Sequence, residues 1–512
     1  MTSTGLLIVS NVKRIQKSLN SIQKYVNNLY IHLNIPTTKI KPIPSWTKII
    51  SRIYSEGLTG TPQIDLKILI TPLKTQLRGG NDTQPKPKID MVFSDGKFPQ
   101  ICDSVRANFN IPNETIYLTD ETTSNVDEQQ NHDQETKTYD TVVLGGTFDR
   151  IHVGHKIFLT AAVLRTCKRL VVGVTDQNML KTKRLPELIL PVEQRIEDLK
   201  KFLLDIDSTL QYDVVPISDP FGPTQSDPDM DMIVVSAETL RGGHKVNELR
   251  AAKGLKQLDI FCIEMVEDFS DDGVKELKVS SSNTRIDLLG TRIRPKEPRS
   301  NLPSEPYIIG LTGGIASGKS KMAQRLHALG AYVMDCDKIA HEIYEPDQLC
   351  YQKIVEHFGE GIVNTTDKTI DRVKLGSIVF SNPAELEKLN SIVWPELLVE
   401  VKRRIKLAHE SSGTKIVVVE AAILLKAGWD TECHEVWSML VSPDEAIRRV
   451  VERNGLSEEE ARKRIANQID NQIVVEKSNV VFSSEWSPDY TQKQAEKAWT
   501  MITTELKQKT KE

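Results

Sequence analysis

The sequence predicts an α/β protein: two doubly wound parallel-sheet domains in tandem, preceded by a smaller α/β region. Three observations predict this. Short aliphatic runs recur between helix-like stretches, and they are continuous rather than alternating, as in strands buried on both faces of a parallel sheet. Two breaks interrupt that pattern: a polar, acidic stretch at 119–139, and "RIRPKEPRSNLPSEP" at 292–306, whose four prolines cannot continue a helix or a central strand. Finally, 512 residues at roughly 100 to 200 per domain make about three domains, each long enough for its own hydrophobic core.

The elements follow in order. Residues 1–118 carry no motif, but "DLKILI" and "MVFSDG" suggest some α/β structure. A linker is expected at 119–139. The block 140–290 holds the runs "TVVLG" (141–145), "RLVVGV" (169–174), "YDVVPI" (212–217) and "MIVVS" (232–236). After a Pro-rich linker at 291–306, the block 307–512 repeats the plan with "YIIGLTGG" (307–314), "AYVMD" (331–335), "KIVVVE" (415–420) and "EVWSMLV" (435–441). Two of its helices are signed at their starts, where Ser442 precedes Glu445 and Ser457 precedes Glu460 by three residues, with Pro443 at the first helical position.

Composition narrows the class. With 39% hydrophobic and 27% charged residues and a net charge of −4, nothing in the whole chain attracts nucleic acid, which is excluded as a partner. The six cysteines are scattered singly, without metal-ligand spacing, which suits a reducing compartment. No apolar run approaches the ~20 residues that span a bilayer, nor is there a secretory signal core. Residues 1–55 contain no acid, while Lys13, Arg14, Lys17, Lys24, Lys39, Lys41, Lys48 and Arg52 are basic. That bias suits a mitochondrial targeting segment or a peripheral membrane anchor, or else the basic edge of a small domain. The expected location is accordingly cytoplasmic, mitochondrial (outer membrane surface or matrix) or both. Oligomeric state leaves no mark in the residues.

"GGIASGKS" at 313–320 follows an apolar strand and precedes a helix-forming run, the full context of a phosphate-binding P-loop. Backbone amides of Gly313, Gly314, Ile315, Ala316, Ser317 and Gly318 would ring the phosphates of ATP, with the helix dipole behind them. Lys319 would reach the transferring phosphates and the Ser320 hydroxyl would bind Mg²⁺. Asp335 and Asp337 stand just past the next strand, where a carboxylate can accept the proton of an attacking hydroxyl; the competing reading makes Asp335 a helix cap and Asp337 a solvated residue. In the middle block, "VVLGGTFDRIHVGHKIFL" runs from a strand through Gly145 and Thr147 to His152 and His155 at a helix start. His-x-Gly-His brings two imidazoles and a helix N-terminus onto phosphates, with Gly154 leaving room for the nucleotide. A second element, "VSSSNTR" at 279–285, offers Ser281, Ser282 and Arg285 to the same phosphates.

With those motifs on the page, residues 307–507 resemble dephospho-coenzyme A kinase, through "IIGLTGGIASGKS", "DCDKIAHEIY", "IDRVKLGSIVF", "SIVWPEL" and "RRVVERNGLSEEEARKRIANQ". The resemblance implies Asp337 as catalytic base, Arg372 as an anionic-substrate contact, and a lid from the Arg-rich helices between Arg448 and Arg464. Trp394 stands where bacterial members usually have His. Residues 139–290 are similar to phosphopantetheine adenylyltransferase, in its eukaryotic and archaeal form through "VVSAETLRGGHKVNELR". That implies Thr147 orienting the attacking phosphate, Lys181 or Lys183 bridging nucleophile and ATP, and Arg241 as a further substrate contact; Arg150 and His152 depart from bacterial members. Together the halves resemble the bifunctional coenzyme A synthase family, implying 4'-phosphopantetheine, dephospho-CoA and ATP as substrates and Mg²⁺ at both sites. Two rivals remain: a nucleotide-binding scaffold with one decayed half, and a nucleotidyltransferase–kinase fusion for other substrates.

Overall fold

The computed structural model describes residues 3–34, 43–78, 87–122, 137–264 and 274–509. The chain forms two compact units, Met1–Thr284 and Arg285–Glu512. Two five-stranded sheets lie in the first unit and one in the second, and all their strand pairings are parallel.

The first sheet comprises β1 (Thr4–Val9), β2 (Asn28–Leu33), β3 (Asp65–Ile68), β4 (Met91–Ser94) and β5 (Thr115–Tyr117), in the order β3-β2-β1-β4-β5. It is a complete doubly wound sheet, a third one where the sequence predicts two domains and a small region. Its strands run three to six residues, and no motif accompanies them to mark the sheet as a domain of its own. Leu6, Leu7 and Ile8 of its central strand are wholly buried. The acid-free stretch 1–55 therefore supplies β1, the helix Ile15–Ile22, β2 and much of the helix Ile43–Gly60, and its loss as a leader would remove the middle of this sheet. Lys39, Lys41 and most of the stretch 119–139 lie outside the described residues.

The second sheet comprises β6 (Tyr139–Gly146), β7 (Thr166–Thr175), β8 (Gln211–Ile217), β9 (Met232–Ser236) and β10 (Asp259–Ile263), in the order β10-β9-β6-β7-β8. Counted from its own first strand, this is the winding of the first sheet again. The two sheets share one core, in which Ile49 and Ile53 of one meet Leu159 and Val163 of the other, and each keeps a second cluster of its own, around Leu6 and Ile8 and around Val143 and Val171. Four strands of the second sheet are the aliphatic runs of the sequence, and the fifth, "DIFCI", is half-exposed at the edge.

In the second unit, β11 (Tyr307–Gly313), β12 (Tyr332–Asp335), β13 (Ile416–Glu420), β14 (Glu435–Leu440) and β15 (Val480–Ser483) pair in the order β12-β13-β11-β14-β15. β11, β13 and β14 are buried along their whole length, which is why they read as unbroken apolar runs. The stretch 291–306, where prolines exclude a helix, is fastened to this unit. Arg292 pairs with Glu435 and with Glu505 at 2.8 Å, and the Ile293 amide donates to Asn479 O at 2.8 Å. None of the described helices is long and apolar enough to cross a membrane.

Candidate active sites

In an open parallel sheet, ligands collect beyond the carboxyl ends of the strands where the winding reverses. In the second sheet that point lies between β6 and β9. From β6 the chain enters the loop 147–152 and then the helix Val153–Arg165, capped by His152 in extended backbone. Phe148 and Arg150 both adopt positive φ, 49° and 48°. Left-handed backbone at two non-glycine residues costs energy and needs outside support. Arg195, 1% exposed, gives that support: its guanidinium donates to Leu190 O at 2.8 Å, Thr147 O at 2.7 Å and Thr175 O at 2.9 Å. Asp149 is wholly buried, accepts from the Leu190 amide at 3.1 Å and pairs with Arg150 at 3.0 Å, so it fastens the loop from within.

The two histidines stack, ring centroids 3.8 Å apart and 23° from parallel, and Phe148 closes on His155 at 5.2 Å. His155 Nδ1 is buried and has no hydrogen-bond partner within the protein. Burial, followed by the neighbouring His152, holds the His155 imidazole well below its ordinary pKa, so it is neutral at physiological pH. Ser281, 129 residues further on, meets this loop: its hydroxyl donates to Asp149 O at 3.1 Å and lies 3.4 Å from His152 Nε2. The two motifs thus converge as the sequence implies. A Cβ on Gly154 would stand 3.2 Å from the His152 ring and 3.4 Å from Val279 O, so a side chain there would crowd the His152 imidazole.

Other predicted residues are near but not in contact. Thr147 receives a hydrogen bond from the Thr175 hydroxyl at 3.3 Å. Gly145 is the last residue but one of β6, where a Cβ would meet nothing closer than 3.6 Å, so packing does not demand a glycine there. Lys181 and Lys183 are both exposed beyond β7, and geometry does not choose between them. Arg241, exposed on the first turn of Leu240–Ala252, flanks the reversal point from the β9 side. Ser282 and the buried Arg285 lie on the same helix as Ser281, Ser281–Leu288. Arg195 and Asn283 escaped the sequence reading. Asn283 clasps the approach to that helix through Glu276 N at 2.9 Å, Glu276 O at 2.8 Å and Lys278 O at 2.9 Å.

The second site is a cavity of about 830 Å³ around the loop that joins β11 to the helix Lys319–Ala328. Gly313, Ala316 and Gly318 have φ of 157°, 60° and 88°, the alternation that turns successive amides toward one point. At Gly313 a Cβ would also lie 2.9 Å from Met439 O. Ser317 Oγ is buried without a hydrogen-bond partner. The Ile315 amide donates to Gln468 Oε1 at 2.5 Å, and that oxygen would lie 2.6 Å from a Cβ on Gly314.

Lys319 Nζ lies 2.8 Å from Glu420 Oε1, and Ser320 Oγ donates to the same oxygen at 2.6 Å. Glu420 ends β13, beside Leu311 of β11 and Asp335 of β12, and is 5% exposed. Sequence reasoning passed over it; a lone carboxylate ending the run "IVVVE" was the available signal. A hydroxyl and a carboxylate converging here form an oxygen donor set that fits Mg²⁺. Asp335 caps the helix Cys336–Glu342, accepting from the amides of Asp337 and Lys338, as the competing reading has it, while Asp337 is exposed and lines the phosphate-loop cavity. Arg372 is elsewhere, in a separate cavity of about 420 Å³, with its guanidinium 3.1 Å from His341 Nδ1. His341 lies one turn beyond Asp337 on the same helix.

The arginines of the expected lid divide. Arg448 pairs with Glu445 and Glu452, and Arg462 with Glu458, on exposed helix faces. Arg449 and Arg453 line the phosphate-loop cavity, and Arg449 donates to Ala316 O at 3.0 Å, Ser484 Oγ at 2.6 Å and Ser484 O at 2.6 Å.

A family model for dephospho-CoA kinase matches residues 307–487, and one described as cytidylyltransferase-like matches residues 143–293. A dephospho-CoA kinase of Carboxydothermus hydrogenoformans is 41% identical over 187 residues, 36% of this chain and 90% of the relative. Those of Geobacillus kaustophilus and Geobacter sulfurreducens are 40% and 38% identical, covering 92% and 96% of the relatives and 36% and 38% of this chain. The chain therefore belongs to the dephospho-CoA kinase family through residues 307–487, and it carries a cytidylyltransferase-like domain ahead of that kinase.

Proposed function

We propose that the chain carries out the last two steps of coenzyme A assembly. The single observation behind this reading is the pairing, in one chain, of a dephospho-CoA kinase with a nucleotidyltransferase-like site whose two motifs meet at Ser281 and His152. The product of the first site would be the substrate of the second.

At the first site the phosphate of 4'-phosphopantetheine attacks the α-phosphorus of ATP. The new P–O bond forms as the bond to the β-phosphate breaks, and pyrophosphate leaves. The nucleophile is already ionised, so positioning and charge neutralisation supply the catalysis. Neutral His155, with His152 stacked beside it, donates a hydrogen bond at the helix start, Ser281, Ser282 and Arg285 hold the departing phosphates, and Lys181 or Lys183 bridges the reactants. Thr147 and Arg241 orient the acceptor.

At the second site Asp337 takes the proton of the ribose 3'-hydroxyl as it attacks the γ-phosphorus. Lys319 and the amides of Gly313 to Gly318 hold the phosphates, and ADP leaves. Arg372 with His341 binds an anionic part of dephospho-CoA. Ser320 and Glu420 would hold Mg²⁺, which neutralises phosphate charge when bound. Lys319 would then exchange its contact with Glu420 for the nucleotide.

A product assay on the purified chain with ATP, Mg²⁺ and 4'-phosphopantetheine tests both halves. Coenzyme A arising through transient dephospho-CoA is the expected outcome, and kinase activity without pyrophosphate release would refute the first half. The cytidylyltransferase-like match favours one second reading, CTP as nucleotide donor. Faster pyrophosphate release from CTP than from ATP would establish it.

A further inference from the structure

The helix that bears the two histidines is not held by its own sheet alone. Its flank packs on the helix Ile43–Gly60 of the first module, and the apolar residues of both belong to one buried cluster. Polar anchors accompany that contact. Lys156, next to His155, has a side chain only 10% exposed, and its ammonium donates to Asp65 Oδ1 at 2.5 Å and Leu66 O at 2.9 Å, both on β3. One turn further, the wholly buried Thr160 hydroxyl lies 3.5 Å from Tyr54 OH, which also accepts from the Ile68 amide at 3.2 Å. Arg165, at the end of the helix, donates to Thr47 Oγ1 at 3.1 Å.

The pairing continues sideways. Asp65 also lies 3.4 Å from Lys67 Nζ, and Lys67 pairs with Asp205 at 2.7 Å near the end of the helix Val192–Ile206. That helix begins with the turn bearing Arg195, which holds the Thr147 loop. Two adjacent charges on β3, Asp65 and Lys67, thus reach both helices that fix the nucleotidyltransferase loop. A buried ammonium has few alternative partners, so the direction of Lys156 is set by where the first module presents Asp65. Since Lys156 follows His155 directly, the pair also sets the rotation of the first helical turn.

We propose that the first module is a positioning element for adenylyl transfer, with Asp65 as the positioning residue that aligns His155 through Lys156. This rests on the adenylyltransferase reading above. Asp65 touches neither substrate nor reacting atoms. Its effect should fall on the transition state, because small displacements of an oriented group cost rate more than binding.

The test uses the full chain and measures pyrophosphate release from ATP and 4'-phosphopantetheine for Asp65→Asn, Lys156→Met, the double variant and Asp65→Glu. Phosphorylation of supplied dephospho-CoA by the same preparations reports folding of the second unit. Expected is a fall of about tenfold in kcat for each single variant, with KM for 4'-phosphopantetheine within about twofold. The double variant should be no slower than either single, Asp65→Glu should recover most of the rate, and the kinase rate should not change. Should Asp65→Asn unfold the first unit, Tyr54→Phe removes one hydroxyl with packing kept; it should lower the melting temperature by a few degrees and kcat about threefold, the loss in kcat persisting at temperatures well below unfolding. Wild-type kcat in folded Asp65→Asn, or additive losses in the double variant, would overturn the proposal. So would rate losses that merely track a lowered melting temperature. No pyrophosphate release from the unsubstituted chain would refute the adenylyltransferase reading itself, an outcome seen before any variant is made.

Discussion

His155 and Glu420 show how single residues are tuned by what surrounds them. In the unfolded chain an imidazole titrates near 6.5, whereas in the folded protein burial and the stacked His152 keep His155 neutral well below that. Between those limits the unfolded state binds the extra proton, so stability is intact above about pH 6.5 and is lost as pH falls. Thermal unfolding of the first unit should accordingly shift to lower temperature between pH 7.5 and 5.5, and His155→Gln should shrink that shift; an equal shift in the variant would assign the effect elsewhere. Glu420 pairs with Lys319 and supplies a carboxylate oxygen beside Ser320. Glu420→Gln should lower the rate of dephospho-CoA phosphorylation by about a hundredfold. Raised Mg²⁺ should restore part of that loss, and a rate within twofold of the parent would remove Glu420 from the site.

At the scale of elements, loops with strained backbone are held by arginines from neighbouring helices. Arg195 donates to three carbonyl oxygens around the Thr147 loop, and Arg449 ties the phosphate loop at Ala316 to Ser484. Arg449→Ala should therefore leave the sheet folded but loosen the loop. KM for ATP in the kinase reaction should rise about tenfold, as expected for the loss of charged hydrogen bonds of ~1.5 kcal/mol or more. Retained KM with reduced kcat would instead assign Arg449 to the transition state. Gln468, whose side chain takes up the Ile315 amide, must yield that amide if a phosphate oxygen is to use it. Gln468→Ala should then tighten or leave unchanged the binding of ADP measured by calorimetry, whereas weakened binding would make Gln468 a ligand contact.

Across the whole molecule, the first two sheets behave as one body. Asp207, wholly buried, accepts from Lys74 at 2.6 Å and Thr71 at 3.1 Å in the first module and from Thr209 in the second. Removing one partner of such a pair leaves an unpaired buried charge, at a cost of about 3 kcal/mol. Asp207→Ala should lower the melting temperature of the first unit while kinase activity persists, and an unchanged first transition would show that the shared apolar core alone joins the modules. Deletion of residues 1–118 should yield an aggregating cytidylyltransferase-like domain, because Leu159 and Val163 would lose their apolar partners. Conversely, Lys319→Ala should lower dephospho-CoA phosphorylation about a hundredfold or more and let dephospho-CoA accumulate.

What the sequence determined by itself was whatever depends on neighbours along the chain. Continuous apolar runs announce fully buried parallel strands, Gly313 to Ser320 announce a phosphate loop, and Ser457 with Glu460 announces the capping box that forms in the structure. Even the meeting of His152 with Ser281 was legible, since each motif carries its own local pattern. Other features needed the tertiary structure, because their meaning lies in residues far away in the chain. The first sheet carries no motif to mark it, and Arg195 holds the Thr147 loop from 48 residues away. Glu420 acquires a role only where β13 pairs with β11, and Lys156 finds Asp65 across 91 residues of sequence. Local chemistry is written in spacing, whereas burial and charge pairing between modules are set only when the chain closes on itself.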